Sequence, residues 1–193
     1  IGIAILDSGI GNYNKAMNDD TGAIRVKRAV DFQKVGDATA VGAKDWTAGV
    51  DASVGMIPGS AAMATYESNI DSTGAKLRDP YGHGSHVASI AAGRGYFQSP
   101  DASGVAPKAN LYDVKVLDSR GYGQMSDVLA GIDWVIYHAK EYNIRVMNLS
   151  LAADSTESHW TDPLAIAVRS ATAAGITVVV AGGNFGQTAS GAQ

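Results

Sequence analysis

Short apolar runs rich in β-branched residues alternate along this chain with longer segments whose apolar positions recur at helical spacing. The apolar runs predict strands at 1–6, 110–117, 144–151 and 176–181. The periodic segments predict helices at 83–92, 126–142 and 163–174. Because parallel strands need long and usually helical connections, this alternation predicts an α/β fold with a mostly parallel central sheet and helices on both faces.

Some local features sharpen this prediction. Ser126 is placed to cap the clearest helix, and the run 176–181 has the composition of a buried strand. Residues 12–79 are broken up by glycines, and within them 24–32 favours a strand or a short helix and 61–66 a helical turn. The sequence starts inside a strand-like run and stops soon after another, so we expect a fold that is incomplete at both ends.

Composition narrows the possible function classes. Hydrophobic residues make up 46% and charged residues 18% of the 193 residues, with a net charge of −4, so the chain can form a core and lacks the basic character of a nucleic-acid-binding protein. The absence of cysteine excludes disulfides, thiolate catalysis and cysteine-bound zinc. No apolar run is long enough to predict a membrane span.

The candidate chemistry centres on His83, which has a glycine on each side and begins a predicted helix. Histidine titrates near neutral pH, so such a residue suits proton transfer. Asp7 follows the first predicted strand and Asn184 follows the last, and in parallel sheets such positions share one edge. A carboxylate, a base and an amide donor would then surround a nucleophile. The alternative for Asp7 is that it caps the turn that follows it.

Three motifs resemble those of the subtilisin-like serine proteases, and they occur in the family's order. They are Asp7-Ser8-Gly9-Ile10, His83-Gly84-Ser85-His86-Val87-Ala88 and Val179-Val180-Ala181-Gly182-Gly183-Asn184. The segments 104–107, 114–117, 121–124, 131–134 and 147–151 also resemble family segments. The resemblance implies a subtilisin-like fold and peptide-bond hydrolysis by an Asp-His-Ser triad.

The resemblance also implies a role for each matching residue. His83 would be the general base and acid, Asp7 would orient it and stabilise its protonated form, and Asn184 would donate to the oxyanion. Two segments would flank an extended peptide substrate, and a third would form the pocket for one of its side chains. These are Gly121, Tyr122 and Gly123, then Ser150, Leu151 and Ala152, and finally Ala181, Gly182 and Gly183.

The chain departs from the family at the nucleophile, because no Gly-Thr-Ser-Met/Leu-Ala motif occurs in it. We therefore interpret residues 1–193 as part of a subtilisin-like catalytic domain that is inactive by itself, with the serine on a missing or separate C-terminal segment. The 76 positions from Asp7 to His83 predict an insertion within 12–78. The alternative is a catalytically incomplete scaffold that binds peptides without cleaving them.

The resemblance further implies that the chemistry needs no cofactor and that the protein is secreted or extracytoplasmic. It makes structural calcium an expectation, although no ligand residue can be nominated. The expected partners are a protein or peptide substrate and the complementary C-terminal segment, with no nucleic acid and no membrane span.

Other functional interpretations of single residues have less support in the sequence than the resemblance has. His83, His86 and Asp79 could form a metal site, but the spacing lacks the His-Glu-x-x-His pattern. Dinucleotide binding after the first strand is disfavoured because Asn14 stands where the third glycine belongs. The remaining histidines, His138 and His159, are predicted to be ordinary surface or helix-end residues, and the tryptophans to be packing residues: Trp46, Trp134 and Trp160.

Overall fold

A computed structural model describes residues 1–11, 13–33, 57–76, 78–98, 100–153 and 155–184. Its five parallel strands form one sheet in the order β2-β3-β1-β4-β5. The strands are β1 Gly2–Asp7, β2 Val26–Asp31, β3 Asn110–Lys115, β4 Ile144–Leu149 and β5 Thr177–Val180. The predicted parallel sheet is confirmed, and the segment 24–32 contains strand β2 rather than a short helix.

Strand β1 occupies the centre of the sheet and is buried along its whole length. Its side chains alternate between two hydrophobic clusters because successive residues of a strand point to opposite faces. Ala4 and Leu6 belong to the larger cluster, whereas Ile3 and Ile5 belong to the smaller one. A strand covered on both faces explains why residues 1–6 read as a continuous apolar run.

Helices cover both faces of this sheet, as predicted. They are α1 Ala61–Ile70, α2 His83–Ala92, α3 Met125–His138 and α4 Pro163–Ala173. Ala88 and Ala92 of α2 pack in the smaller cluster with Ile3 and Ile5, while α3 and α4 pack in the larger cluster on the opposite face. Within the described residues, no helix has the length and apolar character needed to cross a membrane.

Two predicted helix features are wrong. Ser126 does not cap α3, because the helix begins one residue earlier at Met125 and its N-cap is Gln124, which makes no side-chain cap bond. Helix α1 extends to Ile70 instead of forming a single turn, since Ser60 caps it through the backbone N–H of Met63 at 3.1 Å and Ile70 is fully buried. Residues 34–56 of the predicted insertion, Trp46 included, lie outside the described residues.

Strand β5 was predicted to be buried, and this is also wrong. It pairs with β4 at the edge of the sheet, and Val180 is 61% exposed. Within the described residues, apolar side chains of β5 therefore lie on an exposed surface. Trp134 is buried in the core as predicted, but Trp160 is exposed and contacts the side chain of Arg169.

His138 is a helix-end histidine, as predicted, but it does not lie on the surface. It is buried at the end of α3, and its ring nitrogens lie 3.0 Å from Glu67 Oε1 and 2.9 Å from Glu141 Oε2. The contact with Glu67 joins α3 to α1. His159, in contrast, is exposed as expected.

Candidate active site

Asp7 and His83 meet at the carboxyl end of the central strand. His83 Nδ1 lies 2.8 Å from Asp7 Oδ1 and 2.9 Å from Oδ2. The Asp7 side chain is fully buried, whereas the His83 side chain is 41% exposed. Because Nδ1 faces a carboxylate, this nitrogen carries the hydrogen and Nε2 is the one left as a base. The pair has the form of a carboxylate-supported general base.

Gly84, the residue after His83, allows helix α2 to approach strand β1 closely. A Cβ atom on Gly84 would lie 2.2 Å from the carbonyl oxygen of Gly9 and 3.1 Å from Asp7 Cβ. Gly9 itself has a φ of +120°, which side chains rarely adopt. The glycines of both motifs therefore set the short distance between the backbone elements that carry Asp7 and His83.

A second buried carboxylate, Asp79, lies beside this pair. Its Oδ1 accepts hydrogen bonds from Ser8 Oγ at 2.8 Å and the Gly82 N–H at 2.7 Å. Its Oδ2 accepts from the backbone N–H of Ser85 at 2.8 Å and from Ser85 Oγ at 2.6 Å. These donors occupy both oxygens, which argues against the metal site considered for His83, His86 and Asp79.

A third acidic residue, Asp113 on β3, lies beneath the turn that follows Asp7. Its Oδ2 accepts a hydrogen bond from the Ile10 N–H at 2.9 Å, while its Oδ1 is buried without a partner among the described residues. Burial raises the pKa of Asp113 to about 7, against the opposing effects of the Ile10 bond and the charge of Arg78. Burial also lowers the pKa of Arg78.

A cleft of about 490 Å³ opens in front of His83. It brings together His83 and both segments that were predicted to flank a peptide, which are Gly121, Tyr122 and Gly123 on one side and Ser150, Leu151 and Ala152 on the other. The remaining lining residues were not predicted from the sequence as site residues: Tyr81, Leu117, Gln124, Met125, Val128, Ala153 and Leu164. Most of these side chains are apolar, so the cleft has an apolar wall beside a polar base.

The Gly121–Gly123 side of the cleft is held by Asp118. The Asp118 N–H donates to the Tyr122 carbonyl at 2.6 Å, and Asp118 Oδ1 accepts from the N–H groups of Arg120 at 2.8 Å and Tyr122 at 3.0 Å. The backbone bonds from Tyr122 and Arg120 lower the pKa of Asp118. This loop therefore has a fixed backbone edge at neutral pH.

Four predicted site residues are not brought to the cleft lining. Ala181, Gly182, Gly183 and Asn184 follow β5, and all four are exposed. The Ala181 N–H donates to the Leu149 carbonyl at 3.2 Å, which continues the pairing of β5 with β4. These residues thus lie at the same edge of the sheet as Asp7, one strand beyond the segment Ser150–Ala152, and their predicted roles stay predictions.

Among the described residues, no group of three or more His, Asp or Glu side chains is placed to hold a metal ion. This part of the chain therefore offers no cluster of that kind for the expected calcium. Calcium binding and a location outside the cytoplasm stay predictions.

Two residues near His83 were not predicted to support it. The sequence suggests Asp79 only as a metal ligand, and it suggests no role for Tyr81. The Tyr81 ring lies 6.2 Å from the His83 ring, and it would contact a Cβ atom on Gly121 at 2.8 Å. Their position in the sequence could have indicated a role. Asp79 and Tyr81 lie four and two residues before His83, and the segment 78–82 contains no other acidic or aromatic residue.

The fold and the site together define a class of protein. A parallel α/β sheet carries a carboxylate–imidazole pair at its carboxyl edge, and this pair faces a cleft between two backbone segments. That arrangement is typical of hydrolases that use histidine to activate a hydroxyl group. A family model described as the subtilase family matches residues 1–193, and the chain belongs to this family.

Similar proteins agree with this assignment. The chain is 40% identical over 113 residues to serine protease AprX of Bacillus subtilis, which covers 56% of this chain and 26% of that protein. It is 42% identical over 109 residues to a thermostable alkaline protease of Halalkalibacterium halodurans, covering 56% of this chain and 27% of the relative. The chain therefore spans about a quarter of the length of these curated relatives.

The fold is similar to that of a solved structure named sphericase, with a TM-score of 0.65 and 25% sequence identity over 97% of this chain and 47% of that one. The CspB protease of Clostridium perfringens superimposes with a TM-score of 0.67 at 21% identity, over 96% of this chain and 37% of that one, and supports the fold alone.

Proposed function

We propose that this protein is a subtilisin-type serine endopeptidase, in which Asp7 and His83 form two members of an Asp-His-Ser triad. The observation that carries the proposal is the double contact of His83 Nδ1 with the buried carboxylate of Asp7. This contact fixes the tautomer with a free Nε2, and the partly exposed ring lies at the cleft that would hold the substrate.

In the proposed reaction, Nε2 of His83 takes the proton from a serine hydroxyl as its oxygen attacks the peptide carbonyl carbon. The resulting imidazolium is stabilised by Asp7, which stays ionised. His83 then gives the proton to the leaving amine, and the peptide bond breaks to leave an acyl-enzyme. In the second half of the reaction, His83 takes a proton from a water molecule whose oxygen attacks the ester carbonyl carbon. The bond to the serine oxygen then breaks, His83 returns the proton to that oxygen, and the new carboxyl terminus of the peptide is released.

The substrate would bind as an extended strand between the two segments that border the cleft. Exposed backbone groups of Gly121–Gly123 and Ser150–Ala152 would pair with the peptide backbone, as in other cases of strand addition. Asn184 would donate its side-chain amide to the oxyanion, and Ala181, Gly182 and Gly183 would form the pocket for a substrate side chain. Their position after β5, at the same sheet edge as Asp7, supports these roles.

The nucleophile would come from a complementary C-terminal segment. The sequence has no Gly-Thr-Ser motif, so His83 has no serine of that kind within residues 1–193. Apolar surface at two places supports a covering segment, since Val180 on β5 is 61% exposed and Val105 beside α2 is 90% exposed. Such a segment would pair with the open edge of β5 and place its serine near His83 Nε2.

A fluorophosphonate probe tests the proposal, because it labels only an activated serine. The protein would be purified with everything that accompanies it, labelled, and measured by intact mass spectrometry. We expect one labelled species that carries a Gly-Thr-Ser motif, and we expect His83→Ala to abolish its labelling.

His159→Ala is the matched control, since His159 is exposed and lies outside the cleft lining. It should leave labelling unchanged. An unlabelled sample in which His83 remains paired with Asp7 would instead favour the peptide-binding scaffold, which a binding assay with an extended peptide would then reveal.

A further inference from the structure

We propose that Asp79 is the positioning residue of the Asp7–His83 pair, and this inference rests on the proposed role of that pair. Asp79 is buried and touches neither the His83 ring nor the Asp7 carboxylate through any described hydrogen bond. It acts instead on the two backbone elements that carry them, namely the turn after β1 and the first turn of α2.

Asp79 binds both elements at once. On the α2 side it accepts from the N–H groups of Gly82 and Ser85 and from Ser85 Oγ. On the β1 side it accepts from Ser8 Oγ, and Ser85 Oγ in turn accepts from the Gly11 N–H at 2.8 Å. Four donors thus meet one carboxylate, which is about as many as its lone pairs can accept.

The carboxylate also caps α2 from outside the helix. The N-cap residue of α2 is Gly82, which has no side chain to offer, and the first N–H groups of a helix need acceptors. Asp79 accepts from Ser85, while Ser8 Oγ accepts from the Gly84 N–H at 3.0 Å. A negative charge at this end is further stabilised by the helix dipole.

The hydroxyl group of Ser8 shows how Asp79 affects Asp7. This hydroxyl has a single hydrogen, and its oxygen lies 2.8 Å from Asp79 Oδ1 but 3.2 Å from Asp7 Oδ1. The shorter distance directs the hydrogen to Asp79. Asp7 Oδ1 then accepts from the Ser8 N–H at 2.7 Å and from His83 Nδ1 at 2.8 Å. The Ser8 hydroxyl group therefore does not compete with the imidazole for the lone pairs of this oxygen.

Asp79→Asn tests this role because it keeps the side-chain volume but replaces one acceptor oxygen with a donor. The backbone N–H bound by the replaced oxygen, that of Gly82 or of Ser85, then loses its acceptor. Helix α2 is held less firmly against the β1 turn, and the imidazole is held less firmly in one tautomer. We expect the His83 Nδ1 proton, followed by NMR, to exchange with water about tenfold faster. The ring nitrogen shifts should move toward the average of the two tautomers.

Asp162→Ala is the control for loss of a helix cap. Asp162 caps α4 by accepting from the Ala165 N–H at 2.8 Å, far along the chain from the His83 motif. This variant should lower the unfolding midpoint and leave the His83 signals unchanged. If Asp79→Asn does not fold, Ser85→Ala removes one of the four bonds to Asp79 together with the acceptor of the Gly11 N–H, and it should produce a smaller shift in the same direction.

The inference would be overturned if the Asp79 variant folds and the His83 ring keeps both its tautomer and the exchange rate of its Nδ1 proton. If the Asp79 variant does not fold, the same result in the Ser85 variant would overturn it. The measurement uses the chain's own histidine and needs neither a nucleophile nor a substrate. A protein that shows the expected NMR change but resists the fluorophosphonate probe would refute the proposed peptidase and leave the positioning role of Asp79 intact.

Discussion

His138 Nε2 lies 3.0 Å from Oε1 of Glu67, and this contact joins helix α3 to helix α1 across 71 residues of sequence. The other ring nitrogen faces Glu141, and Trp134 Nε1 donates to the second Glu67 oxygen at 3.2 Å. With a carboxylate on each nitrogen, the ring is best accommodated as an imidazolium that donates twice. The cluster therefore ties α1, which lies within the predicted insertion, to the body of the sheet.

The stability of the protein should depend on the protonation of His138. Burial alone lowers the pKa of His138, but the hydrogen bonds to Glu67 and Glu141 outweigh it and raise the pKa above its ordinary value of 6.5. A raised folded pKa means that the stabilisation is fully present below pH 6.5 and is lost as the pH rises through the folded value. His138→Gln should cost about 1 to 3 kcal/mol at about pH 6 and much less at about pH 9.

Urea unfolding at the two pH values measures this difference. His159→Gln serves as the control, because His159 is exposed and should change the free energy of unfolding by less than about 0.5 kcal/mol at either pH. An equal loss at both pH values in His138→Gln would mean that packing, and not charge, accounts for the role of His138.

Asp113 should destabilise the folded protein when it ionises, because its surroundings do not fully compensate a buried negative charge. Burial raises its folded pKa to about 7 from an ordinary value of 3.8, so stability falls as the pH rises between these values. Asp113→Asn keeps an acceptor for the Ile10 N–H but cannot ionise. We expect the stability advantage of the variant over the wild type to grow between about pH 5 and about pH 8 by a few kcal/mol, at most about 3.

The pH dependence of the difference between variant and wild type is the decisive quantity, since it cancels any change in packing. It is measured by urea unfolding across the same pH range. A difference that does not change between pH 5 and pH 8 would show that Asp113 is already ionised in the folded protein at pH 5, as it is in the unfolded chain. The effect should add to that of His138→Gln, because Asp113 faces the turn after β1 and His138 faces α1.

The sequence predicted the sheet and the Asp7–His83 pair for physical reasons that are local. A continuous apolar run predicts a strand buried on both faces, and a glycine-flanked histidine before an apolar helix predicts a base at a helix start. The role of His138 was not predictable, because its partner Glu67 is distant in sequence. The exposure of strand β5 was not predicted, because an apolar composition indicates that a strand packs against other elements but does not show which elements these are.

Gly84 should tolerate no side chain. Its Cβ would lie 2.2 Å from the Gly9 carbonyl oxygen, so Gly84→Ala must push α2 away from β1 and lengthen the contact between His83 and Asp7. We expect a loss of about 1 to 3 kcal/mol in stability and a fall of about tenfold or more in fluorophosphonate labelling. Gly74→Ala is the control, since a Cβ at Gly74 meets nothing within 4 Å. Similar behaviour of the two variants would contradict the packing argument.

Tyr81 should shape the substrate cleft without taking part in the chemistry. Its ring lies beside His83 and against Gly121, where it forms part of the cleft wall and is half exposed. Removing the ring in Tyr81→Ala takes away apolar contact area for a bound peptide, so KM for peptide cleavage should rise about tenfold with little change in kcat. Tyr81→Phe keeps the ring and should behave as the wild type, which separates ring contact from any effect of the hydroxyl group. A fall in kcat with unchanged KM in Tyr81→Ala would instead mean that the ring acts on His83, since uniform loss of substrate contact cannot produce that pattern.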